Sequence, residues 1–317
     1  MLQQTTLAAL LSAVAGLAVA APNSAQMPAT PAYGAAAAPP HEVEDLTDRS
    51  EPPMLGIHWS RQMHAARAAR TRGANMTYHG GKILTSTTVQ AIFWGTGWGT
   101  SAGDKITGID SFYSGFGGSN YAKTTTEYKD SANRNVGSNS TYLGSLVDTS
   151  AASGGASTSA ILAEVCKKIT SPDPSGNGYY PVYTDVPRGS AGYCAWHSAG
   201  TCGGIPVQFA FFWKLDGDSG CDPQDSTTGH SQGLAALANV SAHELAEAMT
   251  DPANPGAWYD SAGSENGDKC AWTFGGPSAT FTNGTKWKLQ GEWSNAAYTA
   301  GTGYPNSSGQ KGCLGGL

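Results

Sequence analysis

Ser241-Ala242-His243-Glu244-Leu245-Ala246-Glu247-Ala248-Met249-Thr250-Asp251-Pro252 is the stretch on which the fold of this chain turns. It closes a run from Gln232 that reads as a helix. Leu234, Leu237, Leu245 and Ala248 mark an apolar side, with the polar residues on another. Asp251-Pro252 ends it, because proline disfavours helical backbone in the residue before it. His243 and Glu247 are four apart and share one helical face.

His-Glu-x-x-Glu is one substitution from the His-Glu-x-x-His pattern of zinc proteases, in which the first glutamate is the base. The pattern predicts Glu244 as general base, taking a proton from the attacking water. A catalytic zinc takes three protein ligands and keeps one position open. His243 and Glu247 supply two. The third is expected among the downstream acids Asp260, Glu265 and Asp268. Asp260 or Asp268 could instead orient His243 from behind. Zn²⁺ is the expected ion; a carboxylate in place of histidine hardens the site, so ligand type also allows Mn²⁺ or Ca²⁺. The competing reading is an ordinary helix with Glu and His on its wet face.

Upstream, Val89–Trp94 reads as a buried strand, and Tyr180–Val186 and Val207–Trp213 as two more. A helix is expected from Ser101 as N-cap through Ile106, Ile109 and Phe112, and another over Ser159–Ile169. The order strand, helix, helix, strand, strand, helix predicts an α+β fold that resembles the zincins. In that architecture a small mixed sheet packs on a long active-site helix. A Gly-rich, disulfide-stabilised C-terminal part follows, with short strands around Trp272, Phe281, Trp287 and Trp293.

The apolar run Leu7–Ala20 ends on Ala18-Val19-Ala20 and is too short to span a bilayer, so residues 1–20 read as a secretory signal peptide. Residues 21–75 read as a leader or propeptide: an Ala/Pro tract, then a stretch with five Arg and five acidic residues. Arg67-Ala68-Ala69-Arg70-Thr71-Arg72 within it has the look of a processing site. Residues 76–317 suffice for a single domain. That domain carries the net charge of −6. With no basic stripe to neutralise phosphates, nucleic-acid binding is not expected. Nor is a membrane partner, and a monomer is expected.

All six cysteines follow the signal, which in a secreted chain implies three disulfides. Sequence leaves the pairing open. The simplest set joins Cys194 to Cys202 in a short loop and Cys270 to Cys313, leaving Cys166 with Cys221.

Weaker candidates have plainer explanations. Gly99-Thr100-Ser101-Ala102-Gly103 matches the Gly-x-Ser-x-Gly elbow, but the helix cap accounts for Ser101. Asp216–Asp222 lacks two features of a calcium loop and reads as an acidic turn. His79 is expected to brace a glycine turn. His197 reads as an isolated surface residue, as does His230 unless it lines the cleft. Asn239 begins a glycosylation sequon inside the helix, where a glycan has no room. Trp258, Tyr259, Trp272, Trp287 and Trp293 suit either sugar stacking or a core.

Together these landmarks resemble the EXORDIUM, or phosphate-induced, family of secreted plant proteins and its microbial relatives. The matching residues are Tyr78-His79-Gly80-Gly81 and Ile92-Phe93-Trp94-Gly95. Ala242–Glu247 with Thr250 and Pro252, Trp258-Tyr259 and Glu265-x-x-Asp268-x-Cys270 complete the match. The resemblance covers Tyr78 to the C-terminus. It implies an extracellular, wall-associated protein whose His-Glu-x-x-Glu belongs to the pattern. It also favours Glu265 as third ligand and Asp268 as ligand or support. Thr250-Asp251-Pro252 departs from it, since plant members tend to carry Asn before the proline.

The expected function is a secreted metal-dependent hydrolase, a peptidase, with a His243/Glu247/Glu265/Asp268 metal site. The alternative is a non-catalytic extracellular protein that binds a cell-wall polysaccharide or a receptor.

Overall fold

The computed structural model describes residues 51–67 and 75–317. The expected signal peptide, most of the leader and the segment 68–74 lie outside the described residues. The long elements are, in chain order, β1 (Met54–Trp59), β2 (Thr87–Trp94), α1 (Lys105–Phe116), β3 (Ser140–Asp148), α2 (Thr158–Lys168), β4 (Gly178–Pro187), β5 (Tyr193–Cys202), β6 (Ile205–Lys214) and α3 (Gln232–Thr250). The fold is α+β, as expected.

Six strands form one mixed sheet in the order β1-β5-β6-β4-β2-β3. Strands β6, β4, β2 and β3 run parallel. β5 runs antiparallel to β6, and β1 antiparallel to β5. Every residue from Val207 to Trp213 is buried, as is every one from Ala91 to Trp94. Such continuous apolar runs mark strands covered on both faces. β3, at one edge, leaves Leu143 and Val147 exposed.

The other edge departs from the expected boundary at residue 76. Met54–Trp59 lies in the sheet, with Gly56 opposite His197 and His58 opposite Ala195. Part of the segment read as leader is therefore built into the folded body. Glu51 fastens it further, accepting hydrogen bonds from the hydroxyls of Ser157, Thr158 and Ser159 at the start of α2.

On the competing reading, α3 would show a wet face. Instead, every residue from Gly233 to Thr250 is buried. The helix packs against β1, β5 and β6 on the sheet side and against α1 and the short helix Asn266–Lys269 elsewhere. It is covered on all sides, and its many alanines let these neighbours come close. Its ends fall where the sequence puts them: Ser231 caps the first turn by accepting from Leu234 N–H at 3.2 Å. α1 begins at Lys105 rather than at Ser101. Gly103 (φ +60°) breaks the chain there, and Ser101 closes a separate turn, Trp98–Ser101, donating its hydroxyl to Gly97 O.

Three disulfides form, and two differ from the simplest pairing: Cys166–Cys202, Cys194–Cys221 and Cys270–Cys313. Cys194 and Cys202 lie on the same strand. Extended chain advances about 3.3 Å per residue, which puts them far beyond the separation of roughly 7 Å that a bridge tolerates. Three disulfides fit an extracellular setting. No helix among the described residues is long and apolar enough to cross a membrane.

Candidate metal centre

The site lies where α3, the edge strands β1 and β5 and the turn around Glu265–Asp268 meet. α3 contributes His243, Glu244 and Glu247, β5 contributes His197, and β1 contributes Gly56 and His58. His197, His243, Glu244, Glu247 and Glu265 are all 0% exposed. The side chain of Asp268 retains 24% exposure, so the cluster reaches solvent on that side.

Glu247 stands at the centre. Its Oε1 accepts from Asp268 N–H at 3.0 Å and lies 3.0 Å from His243 Nε2. Asp268 Oδ1 is 3.9 Å from the same Nε2. Its Oε2 lies 3.6 Å from His197 Nδ1. His197 Nε2 is 3.9 Å from Glu265 Oε1. Two ligand groups result, both using Glu247: His243/Glu247/Asp268 and His197/Glu247/Glu265, each with donor atoms within 4.8 Å of one another. Glu244 points toward the strands. Its Oε1 accepts from His58 N–H at 3.2 Å, and its Oε2 faces His197 Nδ1 at 3.2 Å.

Two glycines allow this crowding. A Cβ on Gly56 would fall 2.3 Å from Glu247 Oε2, 2.4 Å from His197 Cε1 and 2.5 Å from Glu265 Oε2. A Cβ on Gly267 would fall 2.7 Å from His243 Nδ1. Behind the histidines stands Gln290. Its backbone N–H donates to Asn239 Oδ1 at 2.8 Å, which occupies the sequon asparagine inside the core. Its side-chain Nε2 donates to Gly267 O and to His243 Nδ1, both at 2.9 Å. Its Oε1 lies 3.0 Å from His58 Nε2 and accepts from Trp272 N–H at 3.3 Å.

Burial dominates the electrostatics, since a charge removed from water is costly. It pushes the Glu247 carboxyl up to about 8. It also raises Glu244, Glu265 and Asp268 well above the usual carboxylate range, with the neighbouring charge of Glu247 adding to each. Asp251, close by, is raised to about 7, again by burial. Arg67 acts the other way on Asp268. Burial holds His243 down at about 3 and His58 well below its usual value. In this setting the carboxyls tend to be protonated and the imidazoles neutral unless a cation is bound among them.

The four expected ligands, His243, Glu247, Glu265 and Asp268, are brought together, although Glu265 falls in one group and Asp268 in the other. Asp260 is not among them. It accepts from Lys269 Nζ at 2.8 Å and from the amides of Ala262 and Ser264, so it shapes a turn. His230 does not line the cluster; it stacks on Trp287 at 4.1 Å and bonds Lys286 O. His79 stacks on Tyr259 at 3.7 Å, while the glycine turn beside it is braced by the Tyr78 hydroxyl on Gly81 O. Trp287 and Trp293 are core residues, and Trp272 sets its edge against His58 at 4.6 Å. His197, read from sequence as a surface residue, is a full member of the cluster. His58 and Gln290 were not singled out. Strand pairing brings the two histidines in, and their local sequence carries no sign of it.

No family model, curated protein or solved structure matches the chain.

Proposed function

We propose that the chain is a secreted, metal-dependent hydrolase of polypeptides, seen with its metal centre closed. The observation that carries this reading is the meeting of two imidazoles and three further carboxyls around Glu247, whose Oε2 is buried without a hydrogen-bond partner. A mixed sheet with an antiparallel edge strand beside the helix supports the zincin-like comparison. The resemblance to EXORDIUM-like proteins supports the extracellular setting. Nitrogen and carboxylate donors in this number suit Zn²⁺, with Mn²⁺ next. A divalent cation held there supplies Lewis acidity toward a carbonyl oxygen.

The protein's own residues supply the rest. Glu247 and an imidazole hold the ion. Glu244 is divided between two tasks. Its Oε2 is engaged by His197, while its Oε1 is occupied by the amide of His58 on β1. When β1 leaves the sheet edge, Oε1 is freed to take a proton from water. Burial has already raised the affinity of this carboxyl for a proton, as a base working near neutral pH requires.

The 0% exposure of five of these side chains favours a second reading: a closed, non-catalytic centre in an extracellular binding protein. One experiment separates the two. Metal content is measured on the purified full chain by mass spectrometry, and peptide hydrolysis is assayed before and after limited digestion that releases β1. Bound metal with activity appearing after digestion supports the hydrolase. Bound metal with no activity in either state supports the closed centre. No metal, and no thermal shift with Zn²⁺, Mn²⁺ or Ca²⁺, sinks both metal readings. Retention on chitin, cellulose or peptidoglycan tests glycan binding.

A further inference from the structure

The tautomers of the two cluster histidines decide which of them can hold a metal. An imidazole ligates through a nitrogen that carries a lone pair, and its other nitrogen carries the proton and donates it to a neighbour. Neutral imidazole has one of each, and partners assign them.

For His243 the partner is unambiguous. Gln290 Nε2 donates to Gly267 O, and Gln290 Oε1 accepts from Trp272 N–H. These two backbone groups fix the amide, so its nitrogen faces His243 Nδ1 at 2.9 Å. Nδ1 is therefore the acceptor, and the proton sits on Nε2. It is Nε2 that points at Glu247 and Asp268. As placed, His243 offers those carboxylates a proton and no lone pair.

His197 is arranged the opposite way. Its Nδ1 faces Glu244 Oε2 at 3.2 Å. With a cation bound among the carboxyls, Glu244 is ionised and only accepts, so in that state Nδ1 carries the proton. Nε2 then presents its lone pair toward Glu265 Oε1 at 3.9 Å. Tetrahedral ligands about 2 Å from an ion stand roughly 3.3 Å apart, so this pair would draw in slightly to share one. Glu247 Oε2 stands 3.6 Å from Nδ1 of the same ring, borders the space that a Cβ on Gly56 would fill, and is buried without a hydrogen-bond partner. The missing side chain of Gly56 leaves the room in which all three groups meet.

We infer that the resident divalent cation is held by His197, Glu247 and Glu265, that Glu244 is the positioning residue for His197, and that His243 is not a ligand. This rests on the metal reading above and selects one of its two ligand groups. His-Glu-x-x-Glu then contributes to the ion through its last residue. Its histidine, held by Gln290, stands 3.0 Å from Glu247 on the other side, and its first glutamate sets the tautomer of the true imidazole ligand.

The test uses the full chain with Zn²⁺ as probe. Long-range ¹H–¹⁵N spectra of the folded wild type, with and without Zn²⁺, report each ring nitrogen directly. The expected result is a metal-induced shift of His197 Nε2 while His243 keeps its proton on Nε2. Zn²⁺ affinity of variants is the second measurement. His197→Gln and Glu265→Gln are expected to lose 100-fold or more, and His243→Gln to retain one ion per chain. Glu244→Gln is expected to weaken binding roughly 10- to 100-fold and to shift His197 toward its other tautomer, which a merely structural role would not do. Loss of the Nε2 proton of His243 on adding Zn²⁺, or Zn²⁺ retained by His197→Gln and lost by His243→Gln, overturns the assignment. Wild type that binds no Zn²⁺ removes the metal reading itself, and this inference with it.

Discussion

Two acidic clusters in this molecule can be set side by side. In the loop Asp216–Asp222 each of the first two acids meets a fixed cation. Asp216 pairs with Lys105 at 2.8 Å and Asp218 with Arg188 at 2.6 Å. The loop's remaining acid, Asp222, accepts from the amide of Gln224. Around Glu247 the carboxylates are buried and are faced mainly by imidazoles and peptide N–H groups. An acid paired with lysine or arginine is already neutralised and has no use for a metal. A buried acid faced by neutral imidazole must take up a proton or a cation. The number of acids in a stretch of sequence is therefore a poor guide to metal binding, and the kind of counter-charge is a good one.

The contrast can be broken or sharpened by experiment. The largest of three effects is expected at the disulfide that ties the acidic loop to β5. Replacing Cys194 and Cys221 with serine opens a loop of sequence separation 27, which costs about 3 kcal/mol by chain entropy. Denaturant unfolding measures the loss, and metal content should fall if His197, three residues along β5, is set by that anchor.

Next in size is a pH effect confined to the buried cluster. Glu247 has its carboxyl raised from 4.5 to about 8 in the folded state, so its contribution to stability is present below pH 4.5 and is lost as pH rises through 8. His243, lowered from 6.5 to about 3, acts in the other direction, losing its contribution as pH falls from 6.5 toward 3. Between pH 6.5 and 8 the Glu247 effect stands without that opposition, and Asp251 adds to it. Chelated protein should lose roughly 1–2 kcal/mol over that range. Saturating Zn²⁺ should flatten the curve, because a bound cation replaces the proton. A chelated protein that grows more stable from pH 6.5 to 8 would contradict this account. The smallest effect belongs to the loop: Asp216→Asn removes a partly exposed ion pair, worth at most about 1 kcal/mol, and should leave metal content unchanged.

Much of the scaffold was legible because it is built from apolar runs. β2, β4, β6 and α3 announce themselves through Val89–Trp94, Tyr180–Val186, Val207–Trp213 and the alanine- and leucine-rich stretch after Gln232. β5 did not, since Tyr193–Cys202 mixes small and polar residues with its Trp196, and its burial comes from β1 and α3. β1 was hidden inside a segment whose charge suggested a spacer. The same two strands carry what the site reading lacked. Helical spacing exposes His243 and Glu247 to any reader, and the downstream acids follow a short turn. His197 joins them only through the pairing of β5 with its neighbours. The disulfides followed the same logic: loop length favoured Cys194–Cys202, and the extended strand between them forbade it.

The placement of β1 also bears on how the cluster is assembled. β1 precedes the other described strands, yet its partner β5 follows β2, α1, β3, α2 and β4 in the chain. Pairings between segments so distant in sequence carry a large loop-closure entropy and form late. The helix and turn that carry the acids can thus gather while one side of the cluster still faces water. An ion taken up at that stage is enclosed when the edge strand docks. For the metal centre proposed above, exchange past β1 is then limited by how often that strand detaches, while the Asp268 side still meets solvent. If the proposed centre holds an ion, its loss through the β1 side should therefore be slow and set by the sheet.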